Sequence, residues 1–290
     1  MLSAVAFSGA LLVIGGALAD EAAGPPLSAA PPRPAPAAPH SAPAASIPPR
    51  SAEADAETYE RCMKLAKEDP AGGEDFAQSW SDRGGAHPAQ HCAAIALIGL
   101  KQYKQAAARL EALAQAMARA PASLRVDVLQ QAGQAWLLAG DPVRAYATEG
   151  AALTLRPNDL ELLVDRAEAA GAAGFFDKAV ADLDRVLKAA PDRVDALIYR
   201  ASAERALDRL DPALADIEKA LSLAPDSVPA LLERGNLRSL KGDRAGARHD
   251  WAQVGVLAPG STADAAAKSN IERLDLPDAK EKAAKPAGGR

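Results

Sequence analysis

The sequence returns to the same pattern of residue types every 34 positions. A proline closes each unit, and successive closing prolines are 34 residues apart after a first interval of 36 residues. These residues are Pro121, Pro157, Pro191, Pro225 and Pro259. Between them, apolar residues recur at steps of three and four in two runs per unit, which is typical of amphipathic helices. Each unit is therefore predicted to be a pair of helices.

Small residues occupy fixed positions within these units. In the first predicted helix of each unit they are Gly133, Ala167, Ala201 and Gly235. In the second they are Ala145, Ala179, Ala213 and Ala247. The turn between the two helices holds Gly140, Gly174, Asp208 and Gly242. Small side chains recur where two helices approach closely, so these positions are predicted to lie at the contacts between paired helices.

The combination resembles the tetratricopeptide repeat family, whose unit is a helix–turn–helix of 34 residues. The resemblance covers four units in register over residues 126–261 and implies an all-α, right-handed superhelical solenoid of antiparallel helix hairpins. Residues 88–125 resemble a divergent first repeat with a longer second helix, preceded by a short helical segment over 53–87. Residues 262–276 are predicted to form a capping helix, because the last unit would otherwise expose its apolar face.

The two ends of the chain differ from the repeats in composition. Residues 1–19 are apolar and uncharged, and Ala17-Leu18-Ala19 has the form of a signal-peptidase site, although no basic residue precedes the apolar run. The segment is either a cleaved signal peptide or a membrane anchor, since about 18 apolar residues can just span a bilayer. Both alternatives predict export, to the periplasm or to the periplasmic face of the inner membrane. Residues 20–52, rich in Ala and Pro, and the tail 277–290 are predicted to be disordered.

The sequence contains two cysteines, Cys62 and Cys92. In an exported protein an even number of cysteines predicts a disulfide, which here would hold the N-terminal helices against the first repeat. A zinc site that includes His87 and His91 and a pair of free thiols are the alternatives. Pro88 between the histidines and the lack of a second Cys at a short ligand spacing weigh against zinc.

Three of the four units carry an arginine in the first helix and an aspartate in the second. The pairs are Arg166 with Asp182, Arg200 with Asp216, and Arg234 with Asp250. The preceding unit lacks both, with Ala132 and Thr148 at these positions. Because the arginine and the aspartate occur together or are both missing, they are predicted to form structural ion pairs across the hairpin. A guanidinium and a carboxylate can make such a contact in bidentate geometry. A ladder of ligand-binding arginines is the alternative.

Motifs of enzymes are missing from the sequence. It contains no Gly-rich phosphate loop, no Gly-x-Ser-x-Gly and no His-Glu-x-x-His. A net charge of −5 without a basic stripe argues against nucleic acid as a partner. We therefore expect neither an enzyme nor a bound cofactor or metal.

The resemblance implies a concave groove, lined by the first helices, that receives a peptide or a partner segment. Its predicted lining is Gln130, Gln134, Val164, Glu168, Ile198, Tyr199, Ser202, Arg205, Leu232 and Asn236, and the same columns include Gln131, Asp165 and Glu233. Apolar residues with an acidic excess suit a segment that carries basic residues beside apolar anchors. In the alternative interpretation Val164, Ile198 and Leu232 belong to the core between repeats.

These features predict a non-enzymatic interaction scaffold of the bacterial cell envelope that binds a protein or peptide. The alternative is a regulator or recruiter of a membrane-bound enzyme or assembly machine, anchored by an uncleaved N-terminal segment. The Lys, Asn and Arg residues with which some members of the family clamp a C-terminal carboxylate are absent, so chaperone tails are not expected as ligands.

Overall fold

The computed structural model describes residues 52–275, which form thirteen α-helices and contain no strand. The helices are α1 Ala52–Glu68, α2 Pro70–Asp82, α3 Ala86–Gly99, α4 Tyr103–Ala116, α5 Ala122–Leu138, α6 Pro142–Leu155, α7 Leu160–Ala172, α8 Phe176–Ala189, α9 Val194–Ala206, α10 Leu210–Leu223, α11 Val228–Leu240, α12 Arg244–Leu257 and α13 Thr262–Asp275. The predicted signal peptide or anchor, the predicted tail and all but the last residue of the predicted linker lie outside the described residues. None of the thirteen helices is long and apolar enough to cross a membrane.

Local sequence explains where the helices begin and turn. Asp159 accepts hydrogen bonds from the backbone N–H groups of Glu161 and Leu162 at 3.0 and 3.3 Å, which caps the start of α7. Gly174 then adopts a φ of 77° in the turn to α8, a conformation that glycine reaches without a steric cost. Asp208 takes the equivalent place between α9 and α10 with a φ of 61°, in the left-handed region that aspartate tolerates better than most residues.

The hairpins stack into one array. Each helix packs against its neighbours in sequence, and the first helices of successive units also contact one another: α5 with α7, α7 with α9, α9 with α11, and α11 with α13. The second helices of successive units lie farther apart. This difference curves the array so that the first helices form its inner face. The predicted all-α solenoid of helix hairpins is confirmed.

Residues 52–275 contain three clusters of buried apolar residues, one of which lies around Leu97, Trp136 and Ala145 on α3, α5 and α6. The main one is continuous from Ala94 on α3 to Leu274 on α13. A smaller one holds the N-terminal helices together around Cys62, Trp80 and Cys92. The N-terminal helices therefore share a core with α3 and not with the repeats beyond it.

The prediction of a longer second helix in the first repeat is wrong. Helix α4 has 14 residues, the same length as α6, α8, α10 and α12. It ends at Ala116, and the turn that follows is closed by a hydrogen bond from Ala120 N–H to the Met117 carbonyl. The additional residues of this repeat form the start of α5, which has 17 residues where α7 has 13.

Candidate functional site

The three arginine–aspartate pairs lie between the two helices of their hairpins. Each guanidinium donates two hydrogen bonds to one carboxylate, at 2.6–2.9 Å, in the pairs Arg166–Asp182, Arg200–Asp216 and Arg234–Asp250. The aspartates are buried and the arginines are partly exposed. Both oxygens of each carboxylate are engaged, so each pair joins the two helices of its hairpin.

Cys62 on α1 and Cys92 on α3 form a disulfide with a Cα–Cα distance of 6.1 Å, and both residues are fully buried. Both ring nitrogens of His91, beside Cys92, form hydrogen bonds: Nδ1 lies 2.8 Å from Tyr59 Oη, and Nε2 lies 2.7 Å from Gln131 Oε1. No group of three or more His, Cys, Asp or Glu residues within 52–275 could hold a metal ion.

The apolar column predicted for the groove is part of the core. Val164, Ile198 and Leu232 are 5–9% exposed and belong to the main core cluster. These three residues correct the predicted lining and agree with the alternative interpretation, because successive first helices pack against each other through them. They form the floor of the groove and leave little area for a partner.

The other predicted lining residues have accessible side chains. Gln134 is exposed, and the rest are half-buried: Gln130, Glu168, Tyr199, Ser202, Arg205 and Asn236. They come from α5, α7, α9 and α11. The structure thus brings them onto one face, the inner face of the array.

Polar contacts tie neighbouring inner helices together along this face. Gln130 on α5 donates to Asp165 on α7 at 2.9 Å. Arg205 on α9 donates two hydrogen bonds to Glu233 on α11. Asn270 on α13 donates to Asn236 on α11 at 2.9 Å. These contacts fix side chains in place before any partner arrives, and preorganisation of this kind lowers the entropic cost of binding.

One part of the groove, across α5, α6 and α7, concentrates acidic groups. Glu149 reaches inward from α6, and its carboxyl lies against Gly133 of α5, where a Cβ would clash with it. Burial, together with the charges of Asp165 and Glu168 on α7, raises the pKa of Glu149 to about 9. Glu149 is therefore protonated at neutral pH. We call Glu149, Asp165 and Glu168 the acidic pocket.

The other two members of the acidic pocket are perturbed in the same direction. Burial is the main cause that raises the pKa of Asp165 and of Glu168, and the charge of Asp165 adds to the effect on Glu168. On the adjoining helix α9, burial and the charge of Glu168 raise the pKa of Tyr199. This stretch of the groove holds more carboxyl groups than it can keep ionised together.

No protein-family model and no curated protein sequence matches the chain. Among solved structures, YrrB, described as a tetratricopeptide repeat protein with an unusual peptide-binding site, is 20% identical with a TM-score of 0.50, over 62% of this chain and 97% of that one. TTC0263, a thermophilic tetratricopeptide repeat protein of Thermus thermophilus, is 18% identical with a TM-score of 0.51, over 64% of this chain and the whole of that one.

The chain has the tetratricopeptide repeat fold. The match extends over nearly the full length of both solved structures, so the whole repeat array and not a single hairpin is similar.

Within the tetratricopeptide repeats, Glu149 is the residue that sequence reasoning missed. It stands among small and polar neighbours, Thr148 and Gly150, and resembles one more acidic residue on a helix surface. The 34-residue register places it in the same column as Leu183, Ile217 and Trp251, which are all buried. A charged residue in an otherwise apolar core column was the signal that could have identified it.

Proposed function

We propose that the chain is a non-enzymatic scaffold of the bacterial cell envelope that binds a segment of another protein along the inner face of its repeats. The observation that carries this proposal is the groove itself. Side chains from four successive first helices meet on one face, and cross-helix hydrogen bonds hold several of them in place. A rigid face of this length binds an extended or helical segment with little reorganisation.

The composition of the groove sets the chemistry of the segment. Leu138 and Leu240, at the ends of α5 and α11, are about half exposed and offer contact area to apolar anchors. Between them, the acidic pocket and Tyr199 favour basic residues. The segment expected in the groove therefore combines apolar and basic side chains. YrrB, whose description includes a peptide-binding site on the same fold, supports a peptide ligand as the general class.

Two features support a location outside the cytoplasm. The first is the apolar segment 1–19 with its Ala-x-Ala ending. The second is the buried Cys62–Cys92 disulfide, a bond that persists in oxidising compartments.

Selection of peptides from a random library on the oxidised full-length chain tests the proposed function. Selected peptides should bind with micromolar affinity, measured by fluorescence anisotropy. Gln134→Arg, at an exposed groove position, should weaken binding at least tenfold because it adds bulk and positive charge to the face that receives the segment. Lys188→Gln, at an exposed position on α8, is the matched control and should leave affinity unchanged. Failure to enrich peptides, or equal binding by Gln134→Arg, would count against the groove.

A further inference from the structure

We propose that the acidic pocket is a binding site for one cationic side chain, an arginine or lysine of the bound segment. The inference rests on the proposed function, since it names what the partner presents at this point of the groove. Glu149, Asp165 and Glu168 are its ligands, and Gly133 is the residue that makes room for it.

The position of Glu149 is the first step of the argument. Its side chain starts on an outer helix, and its carboxyl passes inward against the backbone of α5 at Gly133. The carboxyl thus contacts α5 at Gly133, and the charges of Asp165 and Glu168 on α7 act on it there. A Cβ at position 133 would occupy the space of the carboxyl, and glycine leaves that space open.

The second step is a polar atom without a partner. Glu149 is 2% exposed, and its Oε2 has no hydrogen-bond partner among the described residues. A polar atom that is buried without a partner costs stability, because it has lost its hydrogen bonds to water. In the equivalent column, Leu183, Ile217 and Trp251 show that an apolar side chain satisfies the fold. The carboxyl is thus not required by packing, and a ligand that donates to Oε2 would remove the cost.

The third step is the distribution of positive charge. The nearby arginines are committed: Arg166 to Asp182, Arg193 to Glu161 and Asp195, and Arg205 to Glu233. Within residues 52–275, no ion pair includes a member of the acidic pocket. Asp165 accepts a hydrogen bond from the neutral Gln130 and is affected by the charge of Arg193, but no intramolecular cation in the described part of the chain contacts any of the three carboxyl groups, which leaves them to an external cation.

The choice of cation follows from the same contacts. The three carboxyl groups do not form a cluster that could hold a metal ion. A guanidinium or ammonium group needs less convergent ligands, because each N–H donates to a separate oxygen. A cation in the pocket favours the ionised carboxylate, so binding transfers the Glu149 proton to solvent and forms an N–H···Oε2 hydrogen bond in its place.

Ethylguanidinium, the head group of an arginine side chain, is the probe that tests the site without knowledge of the partner. Titrated into the full-length oxidised chain at constant ionic strength, it should shift backbone amide NMR signals of α5, α6 and α7, with saturation in the millimolar range. The carboxyl carbon signal of Glu149 should move toward its ionised position. Ethylurea, neutral and of the same shape, should cause neither change.

Glu149→Leu is the decisive variant, because Leu183 and Ile217 show that the column accepts an aliphatic side chain. We expect it to fold and to weaken ethylguanidinium binding at least tenfold. Glu218→Gln, at an exposed position on α10, is the matched control and should bind as the wild type does. Equal binding by Glu149→Leu, or amide shifts confined to other helices, would overturn the proposal.

The same variant separates this proposal from the proposed function. If selected peptides lack basic residues and bind Glu149→Leu as tightly as wild type, the cation site is wrong and the groove stands. If no peptide binds at all, the proposed function fails, and the ethylguanidinium titration still decides whether the pocket accepts a cation.

Discussion

The small residue in the first helix differs from one hairpin to another, according to the side chain that packs against it. Among the small residues of the first helices, glycine occurs at positions 133 and 235, and alanine occurs at 167 and 201. The two glycines face the side chains of Glu149 and Trp251, which a Cβ at either position would meet. Glycine therefore occurs in the two hairpins whose second helix inserts Glu149 or Trp251, and exchange of either member of such a pair alone would disturb the packing.

Gly235→Ala should lower the free energy of unfolding by about 1–3 kcal/mol, the usual cost of overpacking. The added Cβ would clash with the indole of Trp251, a rigid ring that also donates a hydrogen bond to the Leu232 carbonyl at 3.3 Å. Urea denaturation measures the loss. Gly235→Ala combined with Trp251→Leu reproduces the Ala167 and Leu183 combination and should recover part of it. A double variant no more stable than Gly235→Ala would contradict this account.

Glu149 should make stability depend on pH. Its pKa is about 9 in the folded chain and near 4.5 when unfolded, so the folded state holds a proton that the unfolded state releases. The stability it contributes is fully present below pH 4.5 and is lost as the pH rises toward 9, by at most about 1.4 kcal/mol per pH unit. Glu149→Leu should therefore gain stability relative to wild type from pH 5 to pH 9 in urea titrations. A constant difference between the two proteins would show that the carboxyl titrates normally.

The sequence shows only some of the features that hold the two helices of a hairpin together. The closing prolines, turn residues and small columns predict the hairpins because each reflects a local backbone or packing requirement. The extra turn at the start of α5 was not predictable, since Ser123, Leu124 and Arg125 there show no apolar periodicity of their own. The acidic pocket was hidden for another reason: Glu149 lies on a different helix from its other two members, and only the fold brings the three together.

Arg200→Leu should show how strongly one ion pair supports its hairpin. Loss of the guanidinium leaves Asp216 buried without its two hydrogen bonds, and breaking such a pair costs about 3–5 kcal/mol. A clear fall in melting temperature is expected by circular dichroism. Arg209→Leu removes an exposed arginine that pairs with Asp177 and Glu204, and should lower the melting temperature much less, because solvent screens exposed ion pairs. Equal melting temperatures for the two variants would argue against a structural role for Arg200.

At the scale of the whole molecule, the helix–helix contacts within residues 52–275 join neighbouring units. Stability in such an array is approximately a sum of unit terms and neighbour terms, so a local change stays local. The N-terminal helices illustrate this, because their small core and the disulfide connect them to α3 and not to the distant repeats. The continuity of the array could be predicted from register alone. The accessibility of the inner-face residues could not be predicted, because burial of Val164, Ile198 and Leu232 depends on how closely successive first helices approach.

Removal of the disulfide should therefore loosen one end of the molecule. Cys62→Ala combined with Cys92→Ala opens a 30-residue loop, and the chain-entropy relation gives a loss of about 3–4 kcal/mol. Hydrogen exchange followed by mass spectrometry should accelerate in α1 and α2, while amides of α7–α12 keep their wild-type rates. Uniform acceleration along the chain would mean that the helices unfold as one unit.

The arginine–aspartate pairs also bear on how such a chain changes length during evolution. Each pair joins residues 16 positions apart inside one hairpin, so a duplicated or deleted stretch of 34 residues carries both charges with it. Duplication or deletion of a whole repeat therefore leaves no buried aspartate without its arginine. The inner face can thus grow or shrink by whole repeats while every hairpin keeps its own charge balance.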